Sequence, residues 1–203
     1  VSIEAVIFDY GGVIGRGGQD DARDFDRRYG LAEGSIWHAF YRTGEWEELK
    51  VGRGSFDSWR KKTLATLEAA AGRPLPEAWE GWLDYQRGIR QEMLELVRRL
   101  RKKYKVGLLS NATTNLEDIL EHRHGILGLF DAIINSARVG MAKPDPRIFA
   151  LAAERLAVVP AQCVFTDDLE PNVKAAGEAG MHALRFQSYD RLVEDLRALG
   201  IAW

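Results

Sequence analysis

The chain has 203 residues, of which 46% are apolar and 29% charged, and a net charge of −2; it is long enough to bury one good core, or one core with a small second lobe, and its composition excludes a disordered chain. The near balance of acids and bases leaves no overall field for nucleic acid or an anionic membrane, so neither is expected as a partner and an anionic ligand must be held by a local cluster. Cys163 is the single cysteine, which excludes an intrachain disulfide, and no apolar run approaches the roughly 20 residues of a membrane helix; a reducing, cytoplasmic setting is expected.

The chain begins at Val1 rather than Met, and the apolar stretch from Ile3 is too short and too soon followed by glycines for a signal peptide. It is read as a first strand over 3–8, running into Asp9-Tyr10-Gly11-Gly12. An apolar run ending in a carboxylate and two glycines places an anion-handling turn at a strand end, where open α/β sheets keep their chemistry. The short glycine-rich stretch Gly15-Arg16-Gly17-Gly18 follows and reads as a hinge about which two lobes move. No strand is expected from there to about residue 90. Apolar spacing instead predicts helices over 22–29, 35–41, 56–71 and 77–86, punctuated by Gly44, Gly52, Gly54 and Gly72-Arg73-Pro74. Five of the six tryptophans, Trp37, Trp46, Trp59, Trp79 and Trp82, fall in this stretch. A small lobe needs large side chains to build its own core, and one or two of these are left open as pocket-lining residues.

Beyond the insert, Met93, Leu94, Val97 and Leu100 have helical spacing, and a strand over 105–109 leads into Ser110-Asn111. A strand over 132–134 is followed by Lys143-Pro144, and Asp145-Pro146 opens a helix carrying Ile148, Leu151, Ala152 and Leu156. The strand over 163–166 leads into Asp167-Asp168 and a helix over 169–180, and a last strand is expected over 183–186. Strands alternating with helices predict an α/β fold with a doubly wound, parallel, Rossmann-like sheet. The expected organisation is a core domain of 1–15 and 91–203 with an inserted helical domain of 16–90.

Four polar clusters thus sit at strand ends or helix starts: Asp9, Ser110-Asn111, Lys143 and Asp167-Asp168. Singly, each has a plain reading: Asp9 as a turn residue, Ser110, Asn111 and Asp168 as helix caps, Lys143 as a solvated charge. In a doubly wound sheet the strand ends converge on one crevice, so the four would meet. Together they offer carboxylates for a divalent metal, a lysine and a hydroxyl for phosphate oxygens, and a carboxylate free to attack.

With these clusters the chain resembles the haloacid dehalogenase-like (HAD) hydrolases, in the subfamily with a helical cap inserted after the first motif. Asp9, Ser110, Lys143 and Asp167-Asp168 match the four motifs. The runs Val139-Gly140-Met141-Ala142-Lys143-Pro144-Asp145-Pro146-Arg147-Ile148-Phe149 and Phe165-Thr166-Asp167-Asp168-Leu169-Glu170-Pro171-Asn172-Val173 make the likeness specific, and it spans essentially the whole chain. The resemblance implies a Mg2+-dependent phosphatase that hydrolyses a small phosphorylated metabolite, a sugar phosphate or similar, through an aspartyl-phosphate. Asp9 would be the nucleophile, and Lys143 would orient it and offset phosphate charge. Mg2+ would be held by Asp9, the carbonyl of Gly11 and Asp168, with Asp167 behind the ion or reaching it through a water. Ser110, Asn111, Lys143 and the amides near Gly11 and Gly12 would bind the phosphate oxygens.

The departure is Gly11, where most phosphatases of this family carry an acid that protonates the leaving oxygen and later activates water. General acid–base assistance typically contributes about 10²–10⁴ in rate, so its loss slows the reaction without removing nucleophile, metal or lysine. Two other readings stand beside the phosphatase. A metal-independent 2-haloacid dehalogenase would use the same carboxylate on carbon, but Asp167-Asp168 would repel a carboxylate substrate unless a cation lay between. A non-catalytic binding module would have no evident need for Asp9, Lys143 and Asp168 together. Of the remaining residues, His122 and His124 are not spaced for one helical face and predict no zinc site, and His38 and His182 are read as packing or surface residues. Cys163 is read as a small core residue, and Arg16, Arg42 and Arg53 as possible substrate contacts, none preferred.

Overall fold

A computed structural model describes residues 2–203. The strands are β1 (Ala5–Phe8), β2 (Lys105–Ser110), β3 (Ala132–Asn135), β4 (Cys163–Asp167) and β5 (His182–Arg185). They form one all-parallel sheet in the order β3-β2-β1-β4-β5, which puts β1 at its centre. Successive side chains on a strand face opposite ways, and β1 shows the consequence. Val6 and Phe8 join one core with Val106, Leu108 and Val164, while Ala5 and Ile7 join another with Leu109, Ile134 and Phe165. A strand buried on both faces reads as a continuous apolar run, and all four β1 residues are fully buried.

Helices cover both faces. On one side lie α6 (Gln91–Leu100) and α11 (Tyr189–Ala198), the latter a helix beyond the last expected strand; they bury Met93, Val97, Leu192 and Leu196. On the other lie α9 (Pro146–Arg155) and α10 (Glu170–Glu178), burying Ile148, Phe149, Ala152 and Ala176. Short helices α7 (Leu116–Asp118) and α8 (Ser136–Val139) follow β2 and β3. The predicted doubly wound sheet is observed. β1 starts two residues later than expected, and β2 and β4 each run one residue further, because Ser110 pairs with Asn135 and Asp167 with Arg185. These extra residues carry polar groups of the site.

Between β1 and α6 come α1 (Gln19–Tyr29), α2 (Ser35–Tyr41), α3 (Gly44–Leu49), α4 (Phe56–Ala71) and α5 (Pro76–Gln86). They share a separate apolar cluster built around Phe25, Phe40, Trp59, Trp79 and Trp82. Helix α3 corrects the reading of Gly44 as a break: Gly44 is its first residue. Thr43 Oγ1 accepts the Trp46 N–H at 3.3 Å, and Trp46 and Leu49 are buried. A cap and two buried anchors outweigh the roughly 1 kcal/mol cost of a helical glycine.

The chain enters and leaves this insert side by side. Gly15 bridges Ile89, the Arg16 N–H donates to the Gly88 carbonyl at 2.9 Å, and the Arg90 N–H donates to the Ile14 carbonyl at 2.9 Å. Asp21 ties the crossing, accepting from the N–H groups of Gly17 at 2.8 Å and Gly18 at 3.1 Å and from the Tyr85 hydroxyl at 2.7 Å. Among the described residues no helix is long and apolar enough to cross a membrane.

Candidate active site

The C-terminal ends of β1, β2 and β4 deliver Asp9, Ser110 and Asp168 to one crevice, with Asp167 buried behind, and the segment after α8 brings Lys143 into it. Lys143 is 2% exposed, and its ammonium group is fully engaged. It donates to the Leu109 carbonyl at 2.8 Å and to Asp167 Oδ2 at 2.6 Å, and lies 2.9 Å from Asp9 Oδ1. Burial works against this charge, but the Asp167 and Asp9 carboxylates more than offset it and raise the lysine above its ordinary value. Asp9 Oδ1 also accepts the Tyr10 N–H at 2.7 Å, while Oδ2 accepts no hydrogen bond from the described residues.

Asp167 is wholly buried, and both its oxygens are occupied. Besides Lys143, Oδ1 accepts the Leu169 N–H at 2.8 Å and the Asn172 amide reaches both oxygens at 3.1 Å. Asn172, in the first turn of α10, was not singled out from sequence. The signal available was its place five residues after a strand-end acid, where a helix start turns it back. Asp168 does not cap that helix; the N-cap position is Leu169, with no side-chain cap. Asp168 instead lies against Gly12 and Gly18, where an added Cβ would come within 2.5 Å and 2.8 Å of Asp168 Oδ2. Gly12 also has φ of 80°, so glycine there serves both the turn and the acid. Gly11 differs: its φ of −66° and ψ of 128° suit any residue, and an added Cβ would meet nothing within 4 Å.

Asp9, Asp167 and Asp168 each place a carboxylate oxygen within 4.8 Å of the others. Three carboxylates face one ammonium group in a buried place. Burial, with Asp9 and Asp167 nearby, pushes Asp168 up to about 8; burial raises Asp9 to about 6 against the pull of Lys143. Such a surplus of negative charge fits a hard divalent cation with oxygen ligands. With Asp167 committed to Lys143, Leu169 and Asn172, the carboxylates with room for a cation are those of Asp9 and Asp168.

Asn111 meets Lys143 through the backbone. Its Nδ2 donates to the Lys143 carbonyl at 2.9 Å, and its Oδ1 accepts the Lys143 N–H at 2.8 Å. This amide was expected on the substrate phosphate, and here it holds the lysine segment. Ser110, Asn111, Gly11, Asp9, Lys143 and Asp168 all border one cavity of about 1020 Å³. Gly12 is buried behind it.

The insert forms much of the cavity's other wall. Trp37, Trp46 and Trp59 line it, whereas Trp79 and Trp82 are core residues, so three tryptophans reach the pocket where one or two were expected. Arg16 and Arg42 line it too, while Arg53 pairs with Glu48 at 2.9 Å on the exposed surface. His122 borders the cavity but, like His124, belongs to no metal-ligating cluster among the described residues. His38 and His182 are exposed. Cys163 is buried, which pushes its thiol up to about 11 and leaves it inert.

A carboxylate with one unengaged oxygen, a buried lysine beside it and a second acid at the mouth of a parallel sheet define a hydrolase of the α/β class. The chain belongs to the haloacid dehalogenase-like hydrolases, whose profile matches residues 3–180. It is 28% identical to a D-ribitol-5-phosphate phosphatase of Bacteroides thetaiotaomicron over 90% of this chain and 91% of that protein. It is 29% identical over 98% of its length to mouse acyl-CoA dehydrogenase family member 10, of which it spans only 19%. Among solved structures, a HAD family enzyme of B. thetaiotaomicron in complex with magnesium and inorganic phosphate superposes with a TM-score of 0.68 at 23% identity, covering 94% of this chain and 99% of that one. The L-2-haloacid dehalogenase of Xanthobacter autotrophicus superposes with a TM-score of 0.67 at 25% identity, covering 98% and 84%.

Proposed function

We propose that this protein is a Mg2+-dependent phosphatase of a small phosphorylated metabolite, working through a phosphoryl ester on Asp9. The observation that carries this reading is the convergence of Asp9, Lys143, Asp167 and Asp168 on one crevice with more negative than positive charge. Bound Mg2+ supplies charge neutralisation of the transferring phosphoryl group. Asp9 and Asp168 would hold it, with the Gly11 carbonyl, and Asp167 would act from behind by fixing Lys143.

The Tyr10 N–H and Lys143 hold Asp9 Oδ1, which orients the carboxylate and leaves Oδ2 for attack. Oδ2 forms the new bond to phosphorus as the ester O–P bond breaks, and the leaving oxygen takes its proton from solvent because no acid stands at Gly11. Water then attacks phosphorus and gives up a proton to solvent, the bond to Asp9 breaks to restore its carboxylate, and inorganic phosphate leaves. Ser110 and the backbone amides of the Gly11-Gly12 turn serve the phosphate oxygens. Residues 16–90 act as a cap over a core of 1–15 and 91–203, a division supported by the insert's own apolar cluster and its share of the cavity wall.

The dehalogenase alternative meets the charge argument. A haloacid carboxylate entering beside Asp9 and Asp168 would bring a further negative charge to a place where burial, with neighbouring acids, already raises both carboxyls. A binding module would leave the buried ammonium and its carboxylates without a purpose, at a desolvation cost. Hydrolysis of 4-nitrophenyl phosphate with Mg2+ and in excess EDTA tests the reading. Phosphate release that needs Mg2+ supports it, and full activity in EDTA, or none under either condition, would overturn it.

A further inference from the structure

The cavity is larger and more aromatic than a phosphorylated chain of a few carbons needs. Its volume of about 1020 Å³ lies at the top of the range for small-molecule sites, roughly 300–1,000 Å³. One wall is a continuous row of rings: Trp37 lies 4.5 Å from Tyr41, Tyr41 5.2 Å from Trp46, Trp46 5.2 Å from Trp59, and Phe56 5.5 Å from Trp59, centroid to centroid. All five border the same cavity as Asp9 and Lys143.

Packing of the insert accounts for only part of this row. Trp46 and Trp59 are buried members of the insert's apolar cluster with Trp79 and Trp82, whereas Phe56 is 43% exposed and Trp37 and Tyr41 are half-buried. Phe56 and Val159 are the large apolar side chains most exposed to water among the described residues, and Phe56 is the one turned to the cavity. Burying such a ring removes apolar area from water at about 25 cal/mol per Å², and a flat partner adds ring-to-ring attraction.

The Tyr41 hydroxyl is tied to Trp82 Nε1 at 3.3 Å and to the Gln86 amide, which fixes its ring in the wall. An apolar wall with a few polar groups beside it is the usual form of a specific small-molecule pocket.

From the aromatic row and the size of the cavity we infer that the substrate is a phosphate monoester bearing a planar aromatic ring. The ring packs against this wall, whose uncovered side chains are Trp37, Tyr41 and Phe56, while the phosphate sits at Asp9 and Lys143. This inference rests on the phosphatase reading and replaces the plain sugar phosphate expected from sequence with a flat-ringed ester.

The test compares kcat/KM, in Mg2+, for benzyl phosphate and cyclohexylmethyl phosphate. Both have alkyl leaving oxygens and six-membered rings, and they differ in flatness. Acetyl phosphate, too small to reach the row, reports the chemistry alone. Benzyl phosphate is expected to be favoured at least tenfold. Trp37→Leu and Phe56→Leu should each lower that ratio several-fold, and Trp37→Phe should keep most of it. Acetyl phosphate turnover with a ratio near one would overturn the inference and leave the phosphatase reading standing. A preference unmoved by both leucine variants would overturn the assignment to this wall. Turnover of none of the three phosphates would overturn the phosphatase reading, and this inference with it.

Discussion

Asn111 and Lys143 are joined by a reciprocal pair of hydrogen bonds, side-chain amide to main chain, at 2.8 and 2.9 Å. The lysine whose ammonium group touches two carboxylates is therefore positioned from a residue on the neighbouring strand end. Asn111→Ala should lower kcat by about 10²-fold through misplacement of Lys143. It should also cost about 1 kcal/mol of stability per lost bond. If Asn111 bound substrate alone, KM would rise with kcat unchanged, so steady-state kinetics of the variant separate the two roles.

Asp9→Asn removes the attacking carboxylate while keeping the shape of the side chain. Turnover should vanish, and a folded circular dichroism spectrum should remain. Retention of more than a few per cent of the activity would show that another group is the nucleophile.

Metal and pH should be linked. Asp9, raised to about 6, and Asp168, raised to about 8, bind protons more tightly in the folded chain than their ordinary value of 3.8 allows. Without metal, their contribution to stability is full below about pH 4 and declines as pH rises through 6 and 8. Thermal unfolding in EDTA should therefore show Tm falling between pH 5 and 8.5. Added Mg2+ should raise Tm more at pH 8.5 than at pH 5, since the cation binds the ionised form. Asp168→Asn should flatten most of the EDTA profile; an unchanged slope in that variant would assign the effect elsewhere.

Gly11 and Gly12 should respond oppositely to substitution. Gly11→Asp enters open space on an ordinary backbone, so folding should be unaffected. Restoring an acid there should speed breakdown of the aspartyl-phosphate, by up to about 10²–10⁴ if the carboxyl reaches the reacting oxygens. Wild type should show a burst of product followed by a slow steady rate, and the variant a weaker burst. Rapid-quench time courses check this, and wild-type turnover with no burst and no dependence on leaving-group pKa would show that another group supplies the acid. Gly12→Ala forces a Cβ to 2.5 Å from Asp168 Oδ2 at positive φ, and should lower Tm markedly.

The Asp21 tie offers a further check on the insert. Asp21→Ala frees the Gly17 and Gly18 amides and the Tyr85 hydroxyl, all close to where the chain crosses between insert and sheet. The variant should be destabilised by roughly 1–3 kcal/mol in urea unfolding. Its KM for a ring-bearing ester should rise more than its KM for acetyl phosphate, because the insert wall loses its fixed place.

Sequence by itself determined the parallel sheet, because each strand is a short apolar run with a polar stop and helical spacing between runs, and both signals are local. It also determined which acids stand at those stops, since strand ends in such a sheet share one edge; Lys143 arrives from the segment after α8. Tertiary structure alone decided how they divide the work. Asp167 and Asp168 are adjacent and chemically identical, yet one is filled by Lys143, Leu169 and Asn172 while the other faces Gly12 and Gly18 and borders the cavity. Asn111 borders the cavity and also bonds the lysine backbone, a contact set by a segment 32 residues away. Helix α3 was hidden for the same reason: its glycine is unfavourable locally, and only the burial of Trp46 and Leu49 against distant helices outweighs that cost. Apolar periodicity reports which face of an element is buried, but not which tryptophans close a core and which border a cavity, because that depends on what packs opposite.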